Sequence, residues 1–285
     1  MRTPDERFAD LPGFPYTPRY LEWRGLRVHY VDEGKGDATF LCLHGEPTWS
    51  YLYRRMIPLL PGRVVAPDFI GFGRSDKPED EATYTFDFHR RFLLDLIEKL
   101  DLRRITLLVQ DWGGVLGLTL PMEMPGRFER LLVMNTALAT GDFPLTEGFL
   151  AWRAYVAKNP DLACGKLLAR TCPHLSAKEA AAYDAPFPDT RYKAGVRRFP
   201  PMVPEHMDSP GAADSRKARD WLGKAWKGES FMAIGVKDPV LGVPVMTQLR
   251  GWIRGCPEPY LVNNGGHFLQ EWGEEVARAA IEHWS

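Results

Sequence analysis

Cysteine is scarce: four residues in 285 (Cys42, Cys164, Cys172, Cys256), none in a C-x-x-C pair. That spacing argues against both a zinc knuckle and a disulfide framework. Seven histidines include no H-E-x-x-H, so no metal site is expected. An excess of one charge is missing too, since 36 Lys and Arg against 37 Asp and Glu leave a net charge of −1. A chain this balanced carries no basic footprint for nucleic acid and no polybasic membrane patch. No run approaches the roughly 18 apolar residues of a membrane-crossing helix. The opening Met1-Arg-Thr-Pro-Asp-Glu-Arg7 has no apolar segment of the kind a signal peptide needs, so the cytoplasm is the expected compartment and a monomer the expected state. Repeats and low-complexity tracts are absent.

What is present is ordinary for a globular protein: 45% hydrophobic and 26% charged residues exclude a disordered chain. At about one domain per 150 residues, the length allows one large domain or a core with a smaller partner. A chain of this size buries roughly three quarters of its unfolded surface. Nine Trp and fifteen Phe suit a dry, apolar pocket.

Short β-type runs alternate with helical segments in two stretches, the pattern of a parallel sheet covered by helices. The first stretch has strands at Leu26–Val31, Thr39–Leu43, Val64–Pro67, Ile105–Val109 and Leu131–Met134. Between the third and fourth, Phe92, Leu93, Leu96, Ile97 and Leu100 give a helical period over Phe88–Leu102. The second stretch has strands at Phe231–Val236 and Tyr260–Val262, a helix near Val245–Ile253 and a last helix over Glu274–Trp284. Between the stretches the strand signal disappears. Helical segments stand at Gly148–Ala157 and Ala163–Arg170, and Ser176-Ala-Lys-Glu179 has capping-box spacing. Breaks follow at Ala185-Pro-Phe-Pro-Asp189 and Phe199-Pro-Pro-Met202. We therefore expect an α/β fold with a mostly parallel sheet flanked by helices and an inserted helical cap: core at 1–136, cap at 137–213, core again at 214–285. Such a cap lies over the carboxyl ends of the strands, where open α/β sheets keep their sites.

Chemistry concentrates at three strand ends. Ile105-Thr-Leu-Leu-Val-Gln-Asp-Trp-Gly-Gly-Val115 runs a strand into Asp111, two glycines and a helix expected over Val115–Met124. An Asp there can simply cap the helix. The small neighbours favour a sharp turn that stands the side chain above the sheet, the layout of the hydrolase nucleophile G-x-S-x-G with Asp in place of Ser. Thr39-Phe-Leu-Cys-Leu-His44-Gly45-Glu46-Pro47 ends a second strand where such folds place an oxyanion-hole amide, which assigns the N–H groups of Glu46 and Trp112; His44 reads as a brace for this loop. Asp238 and His267, each after a later strand, complete the order nucleophile, acid, histidine. Asn135, after the preceding strand, is an amide and cannot stabilise an imidazolium. Gly71-Phe-Gly73-Arg-Ser75 lacks G-K-[ST] and reads as a tight turn braced by Asp76.

On these residues the chain resembles the haloalkane dehalogenases, in the branch of the α/β-hydrolase superfamily with H-G-E-P, Q-D-W-G-G and a late acid. The resemblance covers essentially the whole chain, including Ala185-Pro-Phe-Pro-Asp189, Ala194-Gly-Val-Arg-Arg-Phe-Pro200 and Asp238-Pro-Val-Leu-Gly242. It implies an α/β-hydrolase fold and hydrolytic dehalogenation through a covalent ester on Asp111, with His267 as base and Asp238 as its partner. It further implies halide-binding indoles at Trp112 and Trp152, with Glu46 beside them. Phe199, Pro200, Val203, Val240 and Leu241 match pocket walls, and no cofactor or metal is called for. The implied partners are a small apolar halogenated substrate, water and the halide product. Two departures are a short Met56–Arg63 connection and Val115 where some relatives carry a bulkier aromatic, which implies a differently shaped pocket. Epoxide hydrolases share the nucleophile, the following Trp and the base, and add lid tyrosines; Tyr155, Tyr183 and Tyr192 are available, though none sits in such a motif. A ligand receptor on the same fold is a third possibility.

Overall fold

The computed structural model describes residues 1–285. Eight strands form one sheet: β1 (Arg19–Trp23), β2 (Leu26–Glu33), β3 (Thr39–Leu43), β4 (Arg63–Pro67), β5 (Ile105–Gln110), β6 (Phe128–Met134), β7 (Glu229–Gly235) and β8 (Tyr260–Val262). Their spatial order is β1-β2-β4-β3-β5-β6-β7-β8. The β1–β2 and β2–β4 pairs are antiparallel and the other five parallel. Every residue of β3 and β5 is buried, as expected where helices cover both faces of a parallel sheet.

Nine helices pack on this sheet or beyond its strand ends: α1 (Phe86–Lys99), α2 (Trp112–Gly117), α3 (Glu147–Lys158), α4 (Cys164–Thr171), α5 (Ala177–Ala182), α6 (Ala194–Met202), α7 (Ala212–Lys224), α8 (Val243–Trp252) and α9 (Gly273–His283). Five of them, α3 to α7, fall between β6 and β7, where no strand intervenes. The expected cap boundary at 213 falls within the first turn of α7.

Four local expectations need correction. The helix after Asp111 begins at Trp112 and stops at Gly117 instead of covering 115–124. Pro121 has no N–H to continue it, and Thr119 Oγ1 donates to the Leu116 carbonyl at 2.6 Å. Phe199-Pro-Pro-Met202 is the last turn of α6, so its prolines forfeit bonds only near a helix end that comes one residue later. Strand β1 was hidden by its charged Arg-Tyr-Leu-Glu-Trp sequence; Arg24 and Gly25, both at positive φ, turn it tightly into β2. The Gly71–Gly73 turn is braced mainly by Asp68, whose carboxylate accepts from the Arg74 N–H at 2.8 Å. Asp76 contributes its carbonyl, which accepts from Gly71, while its side chain pairs with Arg2.

Candidate active site

Parallel pairing sets the site. Leu43 at the end of β3 lies beside Val109 on β5, and Val109 lies beside Val133 on β6. The residues that follow these strands therefore emerge together. Asp111 takes φ 51° and ψ −128°, an unfavourable backbone for a side chain with a Cβ, held by its surroundings. Its N–H donates to the Asn135 carbonyl at 3.0 Å, and its own carbonyl accepts from Thr136 Oγ1 at 2.6 Å. Close approach also needs Gly45, where a Cβ would fall 2.2 Å from Asp111 Oδ1. At Gly113 a Cβ would strike the Leu43 carbonyl at 2.1 Å.

The Glu46 N–H donates to Asp111 Oδ1 at 2.8 Å. Trp112 opens α2, so its own N–H has no acceptor within the helix. His44 accepts the Phe69 N–H at Nε2 (2.9 Å), which leaves its Nδ1–H to donate to the Gly45 carbonyl at 2.8 Å. Burial pushes its pKa down, and a neutral imidazole braces the loop.

His267 Nε2 stands 3.4 Å from Asp111 Oδ2, and its Nδ1 lies 2.8 Å from Asp238 Oδ2. Asp238 also accepts from Asn135 Nδ2 at 3.0 Å and from the Val240 N–H at 2.8 Å. Burial favours its neutral form, but His267 and the backbone N–H groups of Val240 and Leu241 outweigh burial and lower its pKa. For His267, burial opposes the charge, yet Asp238 and Asp111 together push its pKa up to about 10.

Two residues at this centre went unassigned. Gln110 Nε2 donates to the His267 carbonyl at 3.0 Å, which fixes its amide orientation, and lies 3.1 Å from His267 Nε2. That approach favours an unprotonated Nε2 as acceptor and so opposes the two carboxylates. Asn135 holds both Asp238 and the end of β7, accepting the Gly235 N–H at 2.8 Å. Their only signal in the sequence is a polar residue ending an apolar strand.

Two chambers meet at Asp111, Trp112 and Phe149. The first, about 140 Å³, is lined by Glu46, Trp152, Pro200, Asp238, Val240 and His267 among others. The second, about 120 Å³, takes in Val115, Val203 and Leu241. Phe199 lines neither; its ring packs edge-on behind Trp112 at 4.9 Å, a correction to its expected place on the wall. Glu46 is buried with Oε1 unpartnered. Burial, then the Asp111 charge, pushes its pKa well up, against the pull of His267 and the Trp152 indole N–H. A neutral carboxyl there adds no repulsion to an anion in the chamber. No tyrosine lines either chamber. The Tyr183 hydroxyl is committed to Glu271, and Tyr155 is exposed, stacking on Trp152 at 5.9 Å.

Known proteins resemble this chain over nearly its whole length. Residues 38–274 match the family model described as alpha/beta hydrolase fold. The haloalkane dehalogenase of Psychrobacter cryohalolentis is 44% identical, over 99% of this chain and 97% of the relative. The haloalkane dehalogenase of Mycolicibacterium paratuberculosis is 42% identical at the same coverage. The chain belongs to the haloalkane dehalogenases. Among solved dehalogenases, the tetrameric DpaA of Paraglaciecola agarilytica superimposes with a TM-score of 0.97 at 50% identity, covering 99% of this chain and 97% of that one. None of the helices is long and apolar enough to cross a membrane.

Proposed function

We propose that this dehalogenase hydrolyses haloalkanes to a primary alcohol and halide through an alkyl ester on Asp111. The observation that carries the reading is the convergence at one cavity: Asp111 at a strained turn, His267 Nε2 at 3.4 Å, and the indoles of Trp112 and Trp152 on the walls. Displacing halide from an sp³ carbon needs an anionic nucleophile, and a carboxylate is ionised at neutral pH where Ser is not. With Oδ1 held by the Glu46 N–H, Asp111 Oδ2 forms the C–O bond as the C–X bond breaks and its electron pair leaves with the halide. Trp112 and Trp152 donate to that developing charge in a dry site, each such bond contributing about 1.5–3 kcal/mol.

Alkylation removes the Asp111 charge and with it part of what raises the His267 pKa. Gln110 remains and favours the free base. Neutral His267 then takes a proton from water, whose oxygen attacks the Asp111 carbonyl carbon. The resulting oxyanion rests on the amides of Glu46 and Trp112, and Asp238 stabilises the imidazolium. Collapse breaks the bond to the alkyl oxygen, His267 returns its proton to that oxygen and the alcohol leaves; Asp111, now a carboxylic acid bearing the water's other proton, releases that proton to solvent and is again the carboxylate. The chemistry needs no metal or organic cofactor. We further propose that the protein acts as a monomer in the cytoplasm; light scattering and cell fractionation test these points, with a tetramer placing it beside the relative from Paraglaciecola.

His267→Gln separates the two half-reactions. Incubated with 1,2-dibromoethane, it is expected to release about one equivalent of bromide per site and stall, with the added alkyl group mapped to Asp111 by mass spectrometry. Turnover at the wild-type rate, or an adduct elsewhere, would overturn the mechanism. Diol from styrene oxide without halide release from bromoalkanes would favour an epoxide hydrolase, and binding without either product a receptor.

A further inference from the structure

Each turnover of the proposed mechanism leaves a bare halide in an enclosed site, and none of its steps carries that ion back to water. The two indoles that hold it belong to Trp112, at the junction of the chambers, and Trp152, which lines the first chamber alone. The second chamber has no charged side chain apart from Asp111, so an anion crossing it would lose its hydration with nothing in exchange. The first chamber reaches the surface between the end of α4 and the turn after β7, where Arg170 and Pro239 are both exposed. That is the path open to the halide.

Arg170 stands in the last turn of α4. It is the only lysine or arginine on the lining of either chamber. Its guanidinium is turned to a ring rather than to a carboxylate, with its central carbon 5.9 Å from the centroid of Tyr155. Tyr155 in turn stacks on Trp152, with centroids 5.9 Å apart and planes 27° from parallel. Trp152, Tyr155 and Arg170 thus form a row from the halide donor out to solvent, the first half-buried and the other two exposed. Beside them the Thr171 hydroxyl donates to the Leu167 carbonyl at 2.9 Å, which leaves the guanidinium as the side-chain donor at the rim. A cation not neutralised by a carboxylate keeps its field for a passing ion. Behind that ion, Asp111 recovers its negative charge once the ester is hydrolysed, and pushes in the direction in which Arg170 pulls.

Resting on the proposed function, we infer that Arg170 is an anion way-station at the mouth of the first chamber, through which product halide passes between the indole site and water. It lowers the barrier to passage in both directions and takes no part in bond breaking or in holding the bound ion. An arginine in the last turn of a helix also offsets the negative end of the helix dipole; that effect alone would show in thermal stability and leave halide rates untouched.

The test mixes bromide rapidly with wild type, Arg170→Gln and Arg170→Lys, reading entry and exit rates from quenching of indole fluorescence and, independently, from bromide NMR line broadening. One unit charge about 4 Å from the ion in water corresponds to about fivefold in rate. At about 0.1 M ionic strength, Arg170→Gln is therefore expected to slow entry and exit alike by about three- to fivefold, with the bromide Kd within about twofold of wild type. The difference should shrink at about 1 M, where the screening length is about 3 Å, and Arg170→Lys should recover most of both rates. Unchanged rates in Arg170→Gln overturn the way-station. So does faster exit with weaker binding, which would put the charge at the bound ion instead. Bromide release from 1,2-dibromoethane by wild type tells these failures from that of the proposed function. Without release, the dehalogenation reading and the passage built on it fall together; with release, the bromide rates judge the passage alone.

Discussion

Gln110 illustrates how one amide can set the charge of a catalytic base. Its Nε2 is pinned by the His267 carbonyl and faces His267 Nε2 at 3.1 Å, where a protonated ring nitrogen would oppose it donor to donor. Removing that donor favours imidazolium, so Gln110→Leu should raise the pKa of His267 in the alkyl-enzyme. Base catalysis requires the proton to be off, and its rate rises as pH passes upward through that pKa. The acid limb of ester hydrolysis should therefore move to higher pH in the variant, measured by single-turnover release of alcohol. The first burst of halide, which uses only ionised Asp111, should keep its rate. A shifted burst with an unshifted hydrolysis profile would remove Gln110 from this role.

At the scale of elements, α5 shows how local chemistry can be read and weighed. Ser176 Oγ accepts the Glu179 N–H, and the Glu179 carboxylate returns to the Ser176 N–H at 2.9 Å, the reciprocal bonds implied by the spacing of the two residues. Ser176→Ala should cost about 1 kcal/mol, seen as a fall of about 2–4 °C in Tm; an unchanged Tm would mean that α5 frays before the protein unfolds. Features of this kind are legible because they depend on neighbours in sequence. The turn at Asp111 is another: an apolar strand, an acidic residue and two glycines announce it without reference to the rest of the chain. What was not legible depends on pairing across the sheet. Asn135 reaches Asp238 across 103 positions and Gln110 reaches His267 across 157, so neither partner can be inferred from the residues alongside. The prolines of α6 misled for a different reason, since a helix tolerates them where few bonds remain to be lost.

For the whole molecule, the tie between cap and core is ionic and buried. Arg54 donates to Glu271 at 2.7 and 2.8 Å and to Glu179 at 3.0 Å. Arg55 reaches the same two carboxylates, and the Tyr183 hydroxyl bonds to Glu271. Glu271 is fully enclosed, so Glu271→Gln leaves two arginines facing an amide and should cost about 3–5 kcal/mol. A urea titration would register this as a lowered midpoint with an unchanged slope; a midpoint within error of wild type would show that the cluster does not hold the cap.

That cluster also bears on how the protein is made. The arginines emerge from the ribosome early, the cap follows, and the carboxylate that joins them arrives 217 residues after Arg54. Until then Arg54 and Arg55 have only Glu179 of the cap as ionic partner, and the base of the triad, His267, stands just ahead of that carboxylate in the chain. Completion of the ionic cluster and of the triad thus waits on the same late segment, residues 267–271. A nascent chain interrupted before His267 holds a nucleophile but neither its base nor the complete ionic cluster.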